Sequence, residues 1–264
     1  MSGIAVFLAL GALAGVLAGL LGIGGGLVLV AALVWILPRH GVPAGSVMHA
    51  ALATSLASIV VTGLSSARAH ARRGSVMWAS VLRLAPGLVL GGLLGGTIAG
   101  AVPGTALRWG VALFCVFAAA QLLLGTPHGT GAERTPRSPW LLGAGLLIGL
   151  VSALVGIGGG SMTVPLLILL GAAPVQAVGS SAACGVAIGL ASALAYALAA
   201  PAGLSMPPGS VGYVYLPAAL GIGLASVLAA PLGARLAHRL GGTWIRRLFA
   251  LLLLAVAAQM ASGG

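Results

Sequence analysis

The chain has 264 residues, of which 60% are hydrophobic and only 5% charged, where a soluble domain carries about 25% charged residues. All twelve basic residues are Arg and the single acidic side chain is Glu133. Carboxylate-pair catalysis, a Lys Schiff base, an acidic Ca²⁺ or Mg²⁺ site and an Asp/Glu proton relay are therefore excluded.

Apolar stretches of the roughly 20 residues needed to cross a bilayer recur from end to end, so the chain reads as an integral membrane protein. Its net charge of +11 then reflects membrane orientation, not nucleic-acid binding, because the Arg residues sit at loop ends. The start lacks the basic region of a cleaved signal, so residue 1 onward is expected to belong to the mature fold. Cys115 and Cys184 lie in separate apolar segments with no metal or redox spacing; neither a metal nor a cofactor is expected.

In chain order, the first apolar segment, 4–37, is too long for one span and is broken by the run Gly22–Gly26 (GIGGG). Gly costs about 1 kcal/mol per residue inside a helix, so the break falls where the membrane interior should be. Segment 46–67 follows with His49 and the cluster ATSLAS at Ala53–Ser58, then 76–101 with Arg83, then 106–124. After the polar stretch Gly125–Pro139 the order repeats in segments 140–170, 175–200, 211–232 and 243–262.

The second half copies the first. LLGIGGGLVLV at Leu20–Val30 and LVGIGGGSMTV at Leu154–Val164 are identical at seven of eleven positions, 134 residues apart. GSSAACG at Gly179–Gly185 answers ATSLAS, PGSV at Pro208–Val211 answers RGSV at Arg73–Val76, and IRRLFALL at Ile245–Leu252 parallels LRWGVALF at Leu107–Phe114. Two repeats, 1–130 and 131–264, are expected.

Arg placement separates a kinked span from a re-entrant hairpin at each Gly run. With kinked spans the two sides hold five and six Arg, which carries no orientation signal. With re-entrant hairpins, loops 68–75, 125–139 and 233–247 fall together with nine Arg, and only Arg39 and Arg108 lie opposite. The positive-inside rule selects the second arrangement. The expected fold is an all-α polytopic membrane protein of two inverted-topology repeats. Each is a Gly-broken re-entrant helical hairpin followed by three transmembrane helices, with both termini outside. Inverted repeats with broken helices meeting at the midplane are the signature of secondary transporters.

Irregular backbone at membrane depth survives only where protein or a water-filled cavity covers it. At each Gly tip, backbone N–H groups and the positive end of the following half-helix suit a small anion. The expected contacts are Gly24, Gly25 and Gly26 in one tip and Gly158, Gly159, Gly160 and Ser161 in the other, with Thr163 as a further hydroxyl. Thr54, Ser55, Ser180 and Ser181 form a second layer whose hydroxyls donate without bringing a charge that would trap the ligand; Ser58 is a weaker member. Gly11, Gly15 and Gly19, and Gly92, Gly96 and Gly100, recur every fourth residue and read as close-packing faces.

Arg83 is expected on a short interfacial helix beginning at Ser75, with the span starting near Ala85–Pro86. It either snorkels to headgroups or attracts the anion at the cavity mouth. His49, deep in an apolar stretch, is either a hydrogen-bonded structural residue or one that titrates near neutral pH.

The doubled GIGGG segments, the ATSL and GSSA clusters and the run GYVYLPAALGIGLASVLAAPLGARLAHRL at Gly212–Leu240 resemble the sulfite exporter TauE/SafE family over essentially the whole chain. Pro165 fits that pattern after the second Gly run, while Ala31 replaces it after the first. The resemblance implies an inner-membrane permease for a sulfur-containing anion such as sulfite or an organosulfonate. The expected function is thus a secondary transporter working by alternating access, with membrane lipid around it and a homo-oligomer compatible with the sequence. An anion channel, or a membrane-embedded enzyme using Ser or His49, is the alternative; Glu133, in the polar linker, is poorly placed to serve such an enzyme.

Overall fold

The computed structural model describes residues 3–21, 25–124, 140–237 and 242–262. The polar linker with Glu133, Arg134 and Arg137, and the tip residue Gly24, lie outside the described residues. Among the described residues the chain is helical apart from connections and one short hairpin of two two-residue strands. The first half holds α1 (Gly3–Leu21), α2 (Gly26–Ile36), α3 (Val47–Arg72), α4 (Trp78–Ala101) and α5 (Gly104–Leu124). The second holds α6 (Leu141–Val155), α7 (Gly160–Leu169), α8 (Pro174–Leu198), the strands β1 (Ser210–Val211) and β2 (Val214–Tyr215), α9 (Leu216–Ala237) and α10 (Gly242–Ala261). Five of these helices are long and apolar enough to cross a membrane.

The helices are held by close backbone approach. Without a hydrophobic driving force between helices in lipid, association rests on van der Waals packing at small residues. A Cβ at Gly11 would stand 2.5 Å from the Ile222 carbonyl oxygen, and one at Gly15 the same distance from that of Ser226. Cβ atoms at Gly96 and Gly100 would stand 2.6 Å from those of Ala195 on α8 and of Ala199 just past its end. The expected packing faces are therefore real for these residues; the surroundings of Gly19 lie outside the description. A second face of α4, which the fourfold Gly spacing at 92–100 did not single out, seats Gly87, Gly91 and Gly95 against Leu142, Leu146 and Leu150 of α6.

These contacts fix directions. Gly87, Gly91 and Gly95 meet α6 in ascending order, so α4 and α6 run parallel; Gly92, Gly96 and Gly100 meet α8 in ascending order too. Thr54 reaches Tyr215 and Val61 reaches Gly223, so α3 runs with α9, and α1 runs with α9 as well. Helices α3 and α8, equivalent in the two copies, run antiparallel: Gly63 meets Ala182 and Val186, while Leu56 and Val60 meet Gly189. Since α1 and α3 point the same way, the chain between them must return. His40, just past α2, lies against Gly3 and packs its ring 4.8 Å from that of Phe7, at the start of α1.

The halves are interleaved. Each half's first helix packs on the other half's fourth, α1 on α9 and α6 on α4, around the central α3–α8 pair. The outer surface carries exposed Leu side chains such as Leu82, Leu113, Leu194, Leu224 and Leu251. Arg68, Arg72, Arg73 and Arg83 lie at the end where α3 finishes and α4 begins, while Arg39 and Arg108 lie at the other.

One expectation is corrected. No separate interfacial helix begins at Ser75. Helix α4 is continuous from Trp78 to Ala101 and passes through Pro86. Proline removes the donor for the carbonyl four residues earlier, here Leu82. Both Leu82 and Pro86 lie on the exposed face, so the local distortion disturbs no helix–helix seam. Arg83 is exposed on that same stretch of α4.

Candidate functional site

The two Gly runs meet at Gly26 and Gly156. A Cβ at Gly26 would stand 2.9 Å from the Gly156 carbonyl oxygen and 3.2 Å from Ile157 Cα. The junction is bridged from α3, where Ser55 Oγ donates to the Gly156 carbonyl at 2.9 Å with a longer approach to that of Gly26 at 3.3 Å. Ser55 is fully buried, so one hydroxyl from mid-helix ties the tip of one half to that of the other.

The second tip is built by two left-handed glycines. Gly156 ends α6 at φ +78°, where its N–H closes the helix onto the Ser152 carbonyl. Gly159 begins α7 at φ +72° and offers no side-chain cap; a left-handed φ at both positions is what only Gly adopts freely. The N–H groups of Met162 and Thr163 bond to the Gly159 carbonyl. Those of Gly158, Gly159, Gly160 and Ser161 meet no acceptor among the described residues. Amides at a helix N-terminus with no chain acceptor carry the positive end of the helix dipole.

Three hydroxyls beside this row, those of Ser152, Ser161 and Thr163, are buried without a hydrogen-bond partner among the described residues. An unsatisfied buried hydroxyl costs on the order of 1–3 kcal/mol. Elsewhere in this chain Ser58 and Thr97 turn back onto the carbonyl four residues earlier, and the same escape is open to Ser152, whose residue four back, Ile148, lies inside α6. Sequence reading passed over Ser152. The signal was present in the repeat alignment, where Ser152 falls on Ala18, 134 residues earlier.

The second layer divides. Thr54 Oγ1 accepts the Tyr215 N–H at 3.1 Å, and Ser180 Oγ accepts the Met77 N–H at 2.9 Å. Each hydroxyl crosses to the other half and holds the amide just ahead of α9 or α4. The acceptor capacity of both is engaged in joining the halves. Ser58 donates to the Thr54 carbonyl, and Ser181 is buried beside Ser180 on α8.

The two further candidates are not at the tips. His49 lies six residues before Ser55, about 9 Å along α3 at 1.5 Å per residue. Its Nε2 is 3.0 Å from the Val102 carbonyl and its ring stacks 4.9 Å from Tyr213, in the β1–β2 turn. Its Nδ1 is buried and unpartnered; burial also pushes the Tyr213 phenol above its ordinary range. Arg83 is nine residues, about 14 Å of helix, from Gly92, whose Cβ would approach Ile188 at the second tip. Among the described residues no group of His, Cys, Asp and Glu could hold a metal ion.

The family described as sulfite exporter TauE/SafE matches residues 7–260. A protein of Haemophilus influenzae named as a probable membrane transporter is 39% identical over 96% of both chains. Another from Methanocaldococcus jannaschii, also named a probable membrane transporter, is 24% identical over 89% of this chain and 87% of its own. No solved structure matches.

Proposed function

Because the chain belongs to the sulfite exporter TauE/SafE family of membrane transporters, we propose that it is a secondary transporter of a small sulfur-containing anion, such as sulfite or an organosulfonate, across the inner membrane. The observation that carries this reading is the meeting of two Gly tips under Ser55, with free amides on Gly158–Ser161. Backbone N–H groups and a helix end supply partial positive charge with no fixed counter-charge, which favours modest affinity and ready release.

The way the tips touch supports alternating access. Their backbones are in contact at Gly26 and Gly156, so an anion between them must be reached by relative movement of the halves. The antiparallel run of α3 and α8 supports inverted repeats, and the return of the chain to His40 beside Gly3 supports a re-entrant first hairpin. The Arg-rich end at Arg68, Arg72 and Arg73 is read as cytoplasmic, which puts both termini outside. Proton coupling through the substrate itself fits the lack of carboxylates, since sulfite titrates near neutral pH.

The test is radiolabelled sulfite flux in proteoliposomes, with Ser55→Ala/Ser181→Ala protein alongside and competing organosulfonates added. The expected result is saturable flux, accelerated by sulfite on the opposite side and lost in the variant. Unsaturable flux with measurable conductance would replace the carrier by a channel, and no flux of any tested anion by folded protein would refute the reading.

A further inference from the structure

We infer that the two Gly tips are not equivalent. The anion's oxygens dock on the second tip, Gly158–Ser161 with the hydroxyls of Ser152 and Thr163, where the first copy has Leu27 and Leu29 in place of Ser161 and Thr163. This rests on the transport reading above and sharpens it to named donors.

The repeat itself reveals the difference. In the second copy the residues bracketing the Gly run are Ser152, Ser161 and Thr163; their counterparts in the first are Ala18, Leu27 and Leu29. No hydroxyl occurs anywhere in the first copy's stretch Leu20–Val30. Leu27 and Leu29 are buried in the apolar core. A duplicated element that kept its glycines but holds donors on only one copy has divided its work.

Two of these hydroxyls, those of Ser152 and Thr163, also converge. Ser152 Oγ lies 3.4 Å from the position a Cβ would occupy on Gly159, the uncapped first residue of the α7 terminus. Thr163 is four residues beyond Gly159 and so shares its face of the helix, with a side chain leaning back toward the N-terminus. Ser152 and Thr163 are each 0% exposed, and their hydroxyls are unpartnered. Ile148 and Ile188 close the apolar floor of the same spot. A ligand that satisfies this set must present several acceptor oxygens on one centre, as a sulfite or sulfonate head does.

Ser152→Ala and Thr163→Val separate a ligand role from a structural one, because neither removes a bond the folded chain makes. Purified protein in detergent is unfolded thermally with and without sulfite, and sulfite flux is measured in proteoliposomes. The expected result is a ligand-free melting temperature unchanged or raised, with the sulfite concentration for half-effect increased about tenfold in each variant, the scale of a hydrogen bond to a charged group. Ser226→Ala is the structural control. Its hydroxyl donates to the Gly11 carbonyl at 2.7 Å, so its loss lowers the melting temperature and leaves sulfite dependence alone. Should Ser152→Ala and Thr163→Val behave like that control, the assignment of the head group to the second tip is overturned. If wild-type protein shows neither a sulfite-induced shift nor flux, the transport reading fails and the tip assignment falls with it.

Discussion

Replacing Gly95 by Ala tests whether the α4–α6 seam is set by backbone contact. The new Cβ would stand 2.6 Å from the Leu150 carbonyl oxygen and 2.8 Å from Ala153 Cβ, both on α6. Neither neighbour is the end of a flexible side chain. Restoring ordinary contact at about 3.5 Å requires the helices to part by nearly 1 Å, a gap that forfeits a quarter to a half of each dispersion contact along the seam. Overpacking of this kind costs about 1–3 kcal/mol. The intrinsic gain of Ala over Gly in a helix, about 0.5–1 kcal/mol, opposes it. Gly110→Ala removes that ambiguity, because Gly110 lies on α5 with nothing within 4 Å of a Cβ and collects only the gain. The expected difference between the two variants is therefore the whole overpacking cost, several degrees in melting temperature at about 2–4 °C per kcal/mol, read by thermal unfolding in detergent. Gly95→Ala protein as stable as Gly110→Ala protein would refute the claim that this seam is closed by backbone approach.

Three further outcomes are expected. Thr54→Val and Ser180→Ala each strip the acceptor from an amide that joins the two halves, so each should lower thermal stability by about 0.6–1.7 kcal/mol, the range for such contacts in membranes; unchanged stability in both would mean these cross-bonds hold nothing. Cys115 and Cys184 are both fully buried, so a maleimide should modify neither in folded protein and both after denaturation; rapid labelling of the native protein would contradict the packing around α5 and α8. The proposed orientation expects Ala202→Cys, in the exposed α8–β1 connection, to react with an impermeant reagent on intact cells. Arg72→Cys, at the exposed end of α3, should react only after permeabilisation; labelling of both from one face would overturn the orientation.

Much of the fold was legible before any coordinates. An apolar composition with one carboxylate requires a membrane, and helices follow because lipid leaves backbone groups no other partner than their own segment. The breaks at GIGGG follow from the cost of Gly runs in helices, and the internal copy is plain because 134-residue offsets line up identical letters. Gly at fourfold spacing marked two packing faces for the same reason, since a period near the helical repeat puts small residues on one side. The site was legible only as an inventory of donors.

What the tertiary structure alone decided is which hydroxyls already have a partner, as donor or as acceptor. Thr54, Ser180 and Ser55 look alike in the sequence as small hydroxyls in apolar helices. Their roles separate because α3 and α8 run antiparallel and carry each hydroxyl to an amide or carbonyl far along the chain, Thr54 to Tyr215 and Ser55 to Gly156. Ser152, Ser161 and Thr163 stand out for the opposite reason: no group among the described residues hydrogen-bonds to them. Composition and periodicity report what a residue is able to do and how it is spaced along its own helix. Whether a hydroxyl is satisfied depends on helices distant in sequence, and here the swapped pairing of α1 with α9 and α6 with α4 decides which ones pass within reach.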